Sequence, residues 1–288
     1  MFGILVSVEA YTGEEDVARK VEQILAQASI HSPMGSVKTL AALGKPAVPV
    51  LLEKLPGYRY PTIIISALGR IKDPDSISSL LHYLQSLNLK SKENTTEIRA
   101  VMEAFADIGD RRVEQKLLEI LRDQEVDIGV RLYSATTLTK VASDKGKTEA
   151  REFILNSPEI KKNLSKISPV DLDSAYFEIG TPEAIKKLFQ AIKSGLPYEQ
   201  LFIIDLFANH TTPAIIDGLL LIAEDPYYFP DVRFRALEIL VKHGEGFKER
   251  VLKALNDLRK DAPKEGNDKS LVSQEHIDAL IRRLKESS

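Results

Sequence analysis

The chain has 288 residues, with 39 Lys and Arg against 42 Asp and Glu and a formal charge of −3. At 43% hydrophobic and 28% charged residues it is not a disordered polypeptide. Zero Cys excludes disulfides, thiolate metal sites and cysteine nucleophiles together, and the near-neutral balance lacks the basic excess of a nucleic-acid surface. No run approaches the roughly 18 apolar residues of a membrane span. Residues 2–8 and 201–207 are the most apolar short runs, and both are interrupted within ten residues by Glu or Asp. The first run reads as a first helix or strand packed on the fold. The alternative is a truncated signal peptide with a Val8-Glu9-Ala10 cleavage site, although a basic leading region is missing. Residues 14–29 follow as an amphipathic helix with Val17, Val21, Ile24 and Leu25 on one face.

From there a pattern recurs: two adjacent apolar residues, two variable ones, then another apolar residue. It begins at positions 51, 80, 117, 153, 188, 219 and 251, in steps of 29, 37, 36, 35, 31 and 32 residues. Leu51-Leu52-Glu53-Lys54-Leu55 and Leu117-Leu118-Glu119-Ile120-Leu121 are two copies, and Phe153-Ile154 is a degenerate one. Positions i, i+1 and i+4 share one helical face at about 100° per residue. Upstream of six of the copies lies a break such as Gly44-Lys45-Pro46, Lys72-Asp73-Pro74, Gly109-Asp110 or Gly180-Thr181-Pro182. Glycine ends one helix in the left-handed conformation, Pro opens the next, and Asp or Thr caps it. Another apolar-periodic run precedes each break, over 37–43, 63–71, 98–108, 130–141, 172–179, 201–207 and 232–241. Each unit is therefore predicted as helix, tight turn, helix, connection. One such hairpin cannot bury its apolar face alone, so neighbours stack into a continuous core. Alanine at Leu118 or Leu188 is predicted to cost ~2–5 kcal/mol.

These residues resemble the HEAT-repeat family, and within it the short HEAT-like repeats of the phycobilin-lyase type. Asp231-Val232-Arg233 with Ala236 matches the family's first helix; Val130-Arg131 and Ile98-Arg99 match it more loosely, and Val37-Lys38 weakly. Gly44-Lys45-Pro46-Ala47-Val48-Pro49-Val50-Leu51-Leu52 and Ile179-Gly180-Thr181-Pro182-Glu183-Ala184-Ile185 match the turn and second helix, as does Ile108-Gly109-Asp110. The resemblance covers residues 37–258 and implies an all-α fold, an α-solenoid superhelix of about seven HEAT-like helical hairpins with helical caps at both ends. It is specific for fold and nearly silent on function. The expected organisation is an N-terminal segment and capping helix over 1–33, the repeat array over 34–258, and a polar linker with a C-terminal helix over 259–288. That helix carries Ile277, Leu280, Ile281 and Leu284 in one stripe; it caps the array or docks on a partner. The fourth repeat departs from the pattern, with a long predicted turn over 143–147 and a second helix ended early by Pro158. Residues 140–166 carry seven basic and four acidic side chains, read as a solvated irregular surface.

The search for chemistry returns little. His31, His82, His210, His243 and His276 show no zincin spacing. The di-iron hydroxylases built on HEAT-like repeats use His-Glu pairs at matched turns, and here only Glu275-His276 occurs, in reverse order, so no metal is expected. His210 and His243 occupy equivalent turns and read as dipole partners of helix C-termini. No nucleophile elbow, P-loop or dinucleotide fingerprint is present, and no cofactor is expected. Glu178 and Asp205 interrupt apolar runs and read as solvent-facing or paired with Arg between repeats.

The expected function is a non-catalytic scaffold that binds another protein or peptide; nucleic acid is not an expected partner. The alternative is an enzyme or enzyme subunit on the same fold, of the bilin-lyase or DNA-glycosylase type. The position after each apolar pair, at Glu53, His82, Glu119, Leu155, Gln190, Leu221 and Lys253, is predicted to be exposed on the concave face. Aromatic residues gather at inter-repeat connections: Tyr58 and Tyr60, Tyr198, then Tyr227, Tyr228 and Phe229. They read as staples of helix starts, with an edge-binding role as the alternative. The candidate partner-binding residues are His82, Tyr83, Glu119, Arg122, Gln190, Leu221, Tyr227 and Tyr228. A cytoplasmic location is expected, or export if residues 2–8 are a signal remnant.

Overall fold

The computed structural model describes residues 14–29, 33–209, 212–243, 245–264 and 272–286. The apolar run over 2–8, His31, His210, Thr211, Gly244 and most of the polar linker lie outside the described residues. Among the described residues the regular structure is helical, without strands. The chain divides into two compact units, Met1–Ile167 and Ser168–Ser288.

In the first unit, α1 (Glu14–Gln27) precedes four hairpins: α2 (Pro33–Ala42) with α3 (Val48–Lys54), α4 (Pro61–Ile71) with α5 (Ile77–Ser86), α6 (Thr95–Ile108) with α7 (Glu114–Arg122), and α8 (Ile128–Val141) with α9 (Asp144–Asn156). A short α10 (Pro158–Lys162) follows. In the second unit, three hairpins pair α11 (Pro169–Ile179) with α12 (Pro182–Ser194), α13 (Pro197–Leu206) with α14 (Pro213–Glu224), and α15 (Pro230–His243) with α16 (Lys248–Asp261); α17 (Gln274–Glu286) closes it. The seven expected hairpins are therefore present. First helices pack on first helices, α2 on α4, α4 on α6 and α6 on α8 in one unit, α11 on α13 and α13 on α15 in the other. α1 lies against α2 and α3, and α17 against α15 and α16.

The turns follow from residue chemistry. Gly44, Gly109 and Gly180 have φ of 69°, 73° and 63°, the left-handed geometry that ends a helix without a Cβ penalty. Where the sequence offers no glycine, Lys72 takes the same conformation at φ 58°. Asp73, Asp110, Thr181 and Thr212 cap the following helices through Asp75 N, Arg112 N, Ala184 N and Ile215 N. The turn over 143–147 is shorter than expected. Ser143 itself caps α9, which starts at Asp144, and Glu114 from the preceding hairpin accepts from the Ser143 amide at 2.9 Å.

The repeated apolar pair behaves as its spacing dictates. Leu51, Leu80, Leu117, Leu188, Leu219 and Val251 are fully buried, whereas the second member of the pair is half-buried in five of the seven copies. Leu118 is one of those half-buried residues, so the cavity cost expected there belongs to Leu117 instead. The next position is exposed at Glu53, His82, Glu119, Gln190, Leu221 and Lys253, and half-buried at Leu155.

A polar staple joins successive hairpins. The fourth residue of α8 is Arg131, whose Nε donates to Leu121 O at 2.9 Å; the fourth of α15 is Arg233, whose Nε donates to Ala223 O at 3.1 Å. The fourth of α13 is Gln200, whose Nε2 donates to Ile192 O at 2.8 Å. Each satisfies a carbonyl in the last turn of the preceding second helix, where intrahelical partners run out. The Val-Arg element of the repeat thus has a local physical role. Arg99, one position later in α6, is exposed and pairs with Glu103.

Candidate functional site

The eight residues singled out from sequence fall in both units. In the first, His82 is exposed on α5, and the half-buried Tyr83 donates its hydroxyl to Glu97 Oε2 at 2.6 Å. Burial, followed by the Glu97 carboxylate, pushes the Tyr83 phenol upward. On α7, Glu119 accepts from Gln115 and Lys116, while Arg122 makes a two-pronged pair with Glu149 of α9 at 2.6 and 2.7 Å. In the second unit, Gln190 is exposed, Leu221 is 65% exposed and Tyr227 is 86% exposed. Tyr228 turns inward against the apolar core and meets Tyr227 edge to face at 6.5 Å. Tyr58 is a staple: its hydroxyl donates to Leu25 O of α1 at 2.8 Å.

Other expectations resolve into structural contacts. His243 places Nε2 3.0 Å from Ala208 O, beyond the end of α13. Asp205 pairs with Arg235 at 2.5 Å, and Glu178 is exposed. Among the described residues no group of three or more His, Asp or Glu side chains is placed to hold a metal ion. No helix among them is long and apolar enough to cross a membrane.

The residue most suited to chemistry was not anticipated. Asp173, fifth in α11, is only 7% exposed. Burial pushes its carboxyl up to about 6, and the nearby Glu199 carboxylate adds to the effect. No cation among the described residues contributes to its state. Tyr176, one turn further along α11, is raised by burial first, then by Asp173 and Glu183, and Lys187 Nζ lies 5.5 Å from its ring centroid. Glu199 is held in place by its own bonds: Oε2 accepts from the Leu196 amide at 2.8 Å, which starts α13, and Oε1 accepts from the Tyr198 hydroxyl at 3.3 Å. The result is a buried carboxyl that exchanges its proton near neutral pH, beside a phenol and a fixed second carboxylate. Such a group can act as general acid or base. A signal did exist in the sequence. Aligned on their opening prolines, α4, α13 and α15 carry Ile65, Leu201 and Phe234 where α11 carries Asp173.

No family model matches the chain, and no curated protein matches it. Among solved structures it is similar to human deoxyhypusine hydroxylase in complex with glycerol, at 16% identity over 95% of this chain and 99% of that one, with a TM-score of 0.38. That similarity transfers no residue and no reaction. The protein it retrieves is an enzyme, which runs against the expectation of a non-catalytic scaffold.

Proposed function

We propose that the chain is an enzyme or an enzyme subunit built on short HEAT-like hairpins, and that Asp173 is its proton-transfer group. One observation carries the reading: a carboxylic acid occupies a position that is apolar in other first helices that open on proline, α4, α13 and α15, and it is buried without a cationic partner among the described residues. A group placed only for stability would be paired or replaced by Ile, Leu or Phe, since an ionised, unpaired buried carboxylate is costly. Sites that move protons accept that cost because a pKa near the working pH is the useful one. In the lyase-type reading the partner is an acceptor protein; in the glycosylase-type reading the substrate is DNA.

The lyase-type and glycosylase-type chemistries are separable by two assays on the full chain. One follows transfer of a bilin to a cysteine of an acceptor protein, the other release of an alkylated base from DNA. Asp173→Asn keeps the size and removes the proton. Turnover in either assay should fall at least about a hundredfold in this variant, the ordinary contribution of general acid–base catalysis. An Asp173→Asn chain that turns over as fast as the unmodified protein would exclude Asp173 from the role.

A further inference from the structure

Among the described residues, most of the large apolar side chains left in water belong to the second unit. Leu196 is 57% exposed, Tyr198 65%, Tyr227 86% and Phe229 59%. Leu196 lies in the connection from α12 to α13 and Tyr198 in the first turn of α13, while Tyr227 and Phe229 lie in the connection from α14 to α15. α13 packs on α15, and as first helices of successive hairpins both start, at Pro197 and Pro230, on the same edge of the repeat stack. The backbone that carries Tyr227 is held in place. Pro226 and Pro230 bracket one connection, Asp225 Oδ1 accepts from the Tyr227 amide at 2.9 Å, and the Tyr228 amide donates to Asp225 O at 3.3 Å. Display on a constrained turn lowers the ordering cost of binding.

Charge tells what fits. From Ser194 to Val232 the chain has no Lys and no Arg, but carries Glu199, Asp205, Asp217, Glu224, Asp225 and Asp231. Asp205 and Glu224 are neutralised by Arg235 and Arg250. No ion pair engages the other four among the described residues, and Asp231 Oδ1, one residue beyond Pro230, is buried without a hydrogen-bond partner. Asp217 also lies within the field of Arg250, which leaves Glu199, Asp225 and Asp231, and exposed aromatic faces beside these carboxylates attract cations twice over, through the carboxylates and through the rings.

We infer that this edge of the second unit, from Leu196 to Tyr198 and from Tyr227 to Phe229, docks a basic extended peptide segment in which Lys or Arg alternates with apolar residues. The cationic side chains lie over the Tyr198 and Tyr227 rings, toward Asp225 and Asp231, and the apolar ones meet Leu196 and Phe229. This inference is independent of Asp173.

The test is fluorescence anisotropy with the full chain and a short labelled peptide alternating Arg and Leu. A Glu-Leu peptide of equal length and an Arg-Ser peptide are the comparison probes. The Arg-Leu peptide should bind, weaken as salt is raised, and lose about tenfold or more in affinity with Tyr227→Ser or Phe229→Ser, as for hot-spot aromatics. Both residues are exposed, so unchanged circular dichroism of the variants certifies the fold. Asp173→Asn should bind as the unmodified chain does, which separates this inference from the proposed proton transfer. Equal binding of the Glu-Leu peptide, undiminished binding by both variants, or an edge occupied instead by a second copy of the chain in sedimentation would overturn the proposal. So would Arg-Ser binding as tightly as Arg-Leu, because the apolar contacts would then contribute nothing.

Discussion

Replacing Asp173 by Asn should stabilise the protein, and by an amount that depends on pH. The carboxyl titrates at about 6 in the fold against an ordinary 3.8. Below pH ~4 the group is protonated in folded and unfolded chains alike and contributes no difference. Between the two values the unfolded chain releases the proton while the fold retains it, so stability falls as pH rises through this window. Above about 6 the loss is complete, at about 3 kcal/mol, from 1.36 kcal/mol for each tenfold change in proton affinity. An amide loses nothing over this range. Urea unfolding of both proteins at about pH 4.5 and pH 7.5 should show the advantage of Asp173→Asn growing by about 2 kcal/mol between them. The comparison cancels the titration of every other group, so only the difference between the curves is read. An equal gap at both values would refute the reasoning, because it would mean that Asp173 ionises in the fold as it does in water. Glu199→Gln offers a second check: with the neighbouring charge gone, the pH at which the gap stops growing should move down and its final size should shrink.

The remaining expectations concern the packing that holds this site. Leu188→Ala should cost ~2–5 kcal/mol in urea unfolding, whereas Leu118→Ala, at a half-buried position, should cost clearly less. In α14, a Cβ added at Gly218 would lie 2.0 Å from Phe189 Cζ, and that ring is stacked on Phe207 at 5.4 Å between centroids. Gly218→Ala should therefore destabilise by up to about 2 kcal/mol, overpacking outweighing the ~1 kcal/mol gained from helix propensity. In a Phe189→Ala background the sign should reverse, and a double-mutant cycle reads the switch. Arg233→Met should cost about 1–3 kcal/mol by leaving the Ala223 carbonyl unpaired, with faster amide exchange confined to the end of α14 and the start of α15.

Much of the architecture was readable because it is written in local chemistry. Gly44, Gly109 and Gly180 mark helix ends since only they adopt φ near +70° without strain, and the prolines mark helix starts since their missing N–H is harmless there. The readings that failed required knowledge of a neighbour. Ser143 looked like part of a loose turn because its partner, Glu114, lies 29 residues upstream. Leu118 could not be ranked below Leu117 from spacing alone, since 100° per residue places both near the buried stripe. Tyr58 and Tyr227 look alike in sequence, yet one is bonded to the carbonyl of Leu25 in α1 and the other projects into solvent. Asp173 is the sharpest case. Nothing in its own helix identifies it as unusual; its state comes first from burial and then from Glu199 of α13, and only alignment with Ile65, Leu201 and Phe234 exposes the exception.

The staples of Arg131, Gln200 and Arg233 share a direction: in each, the donor lies downstream of the carbonyl it satisfies, in the next hairpin along. A nascent chain therefore presents at its growing end an open carbonyl that its own hairpin cannot close. Arrival of the following first helix seals that joint and, in the same movement, exposes the next. At these three joints assembly during synthesis then closes like a zip drawn from the amino end, and a fragment cut just before Arg233 would leave the Ala223 carbonyl open.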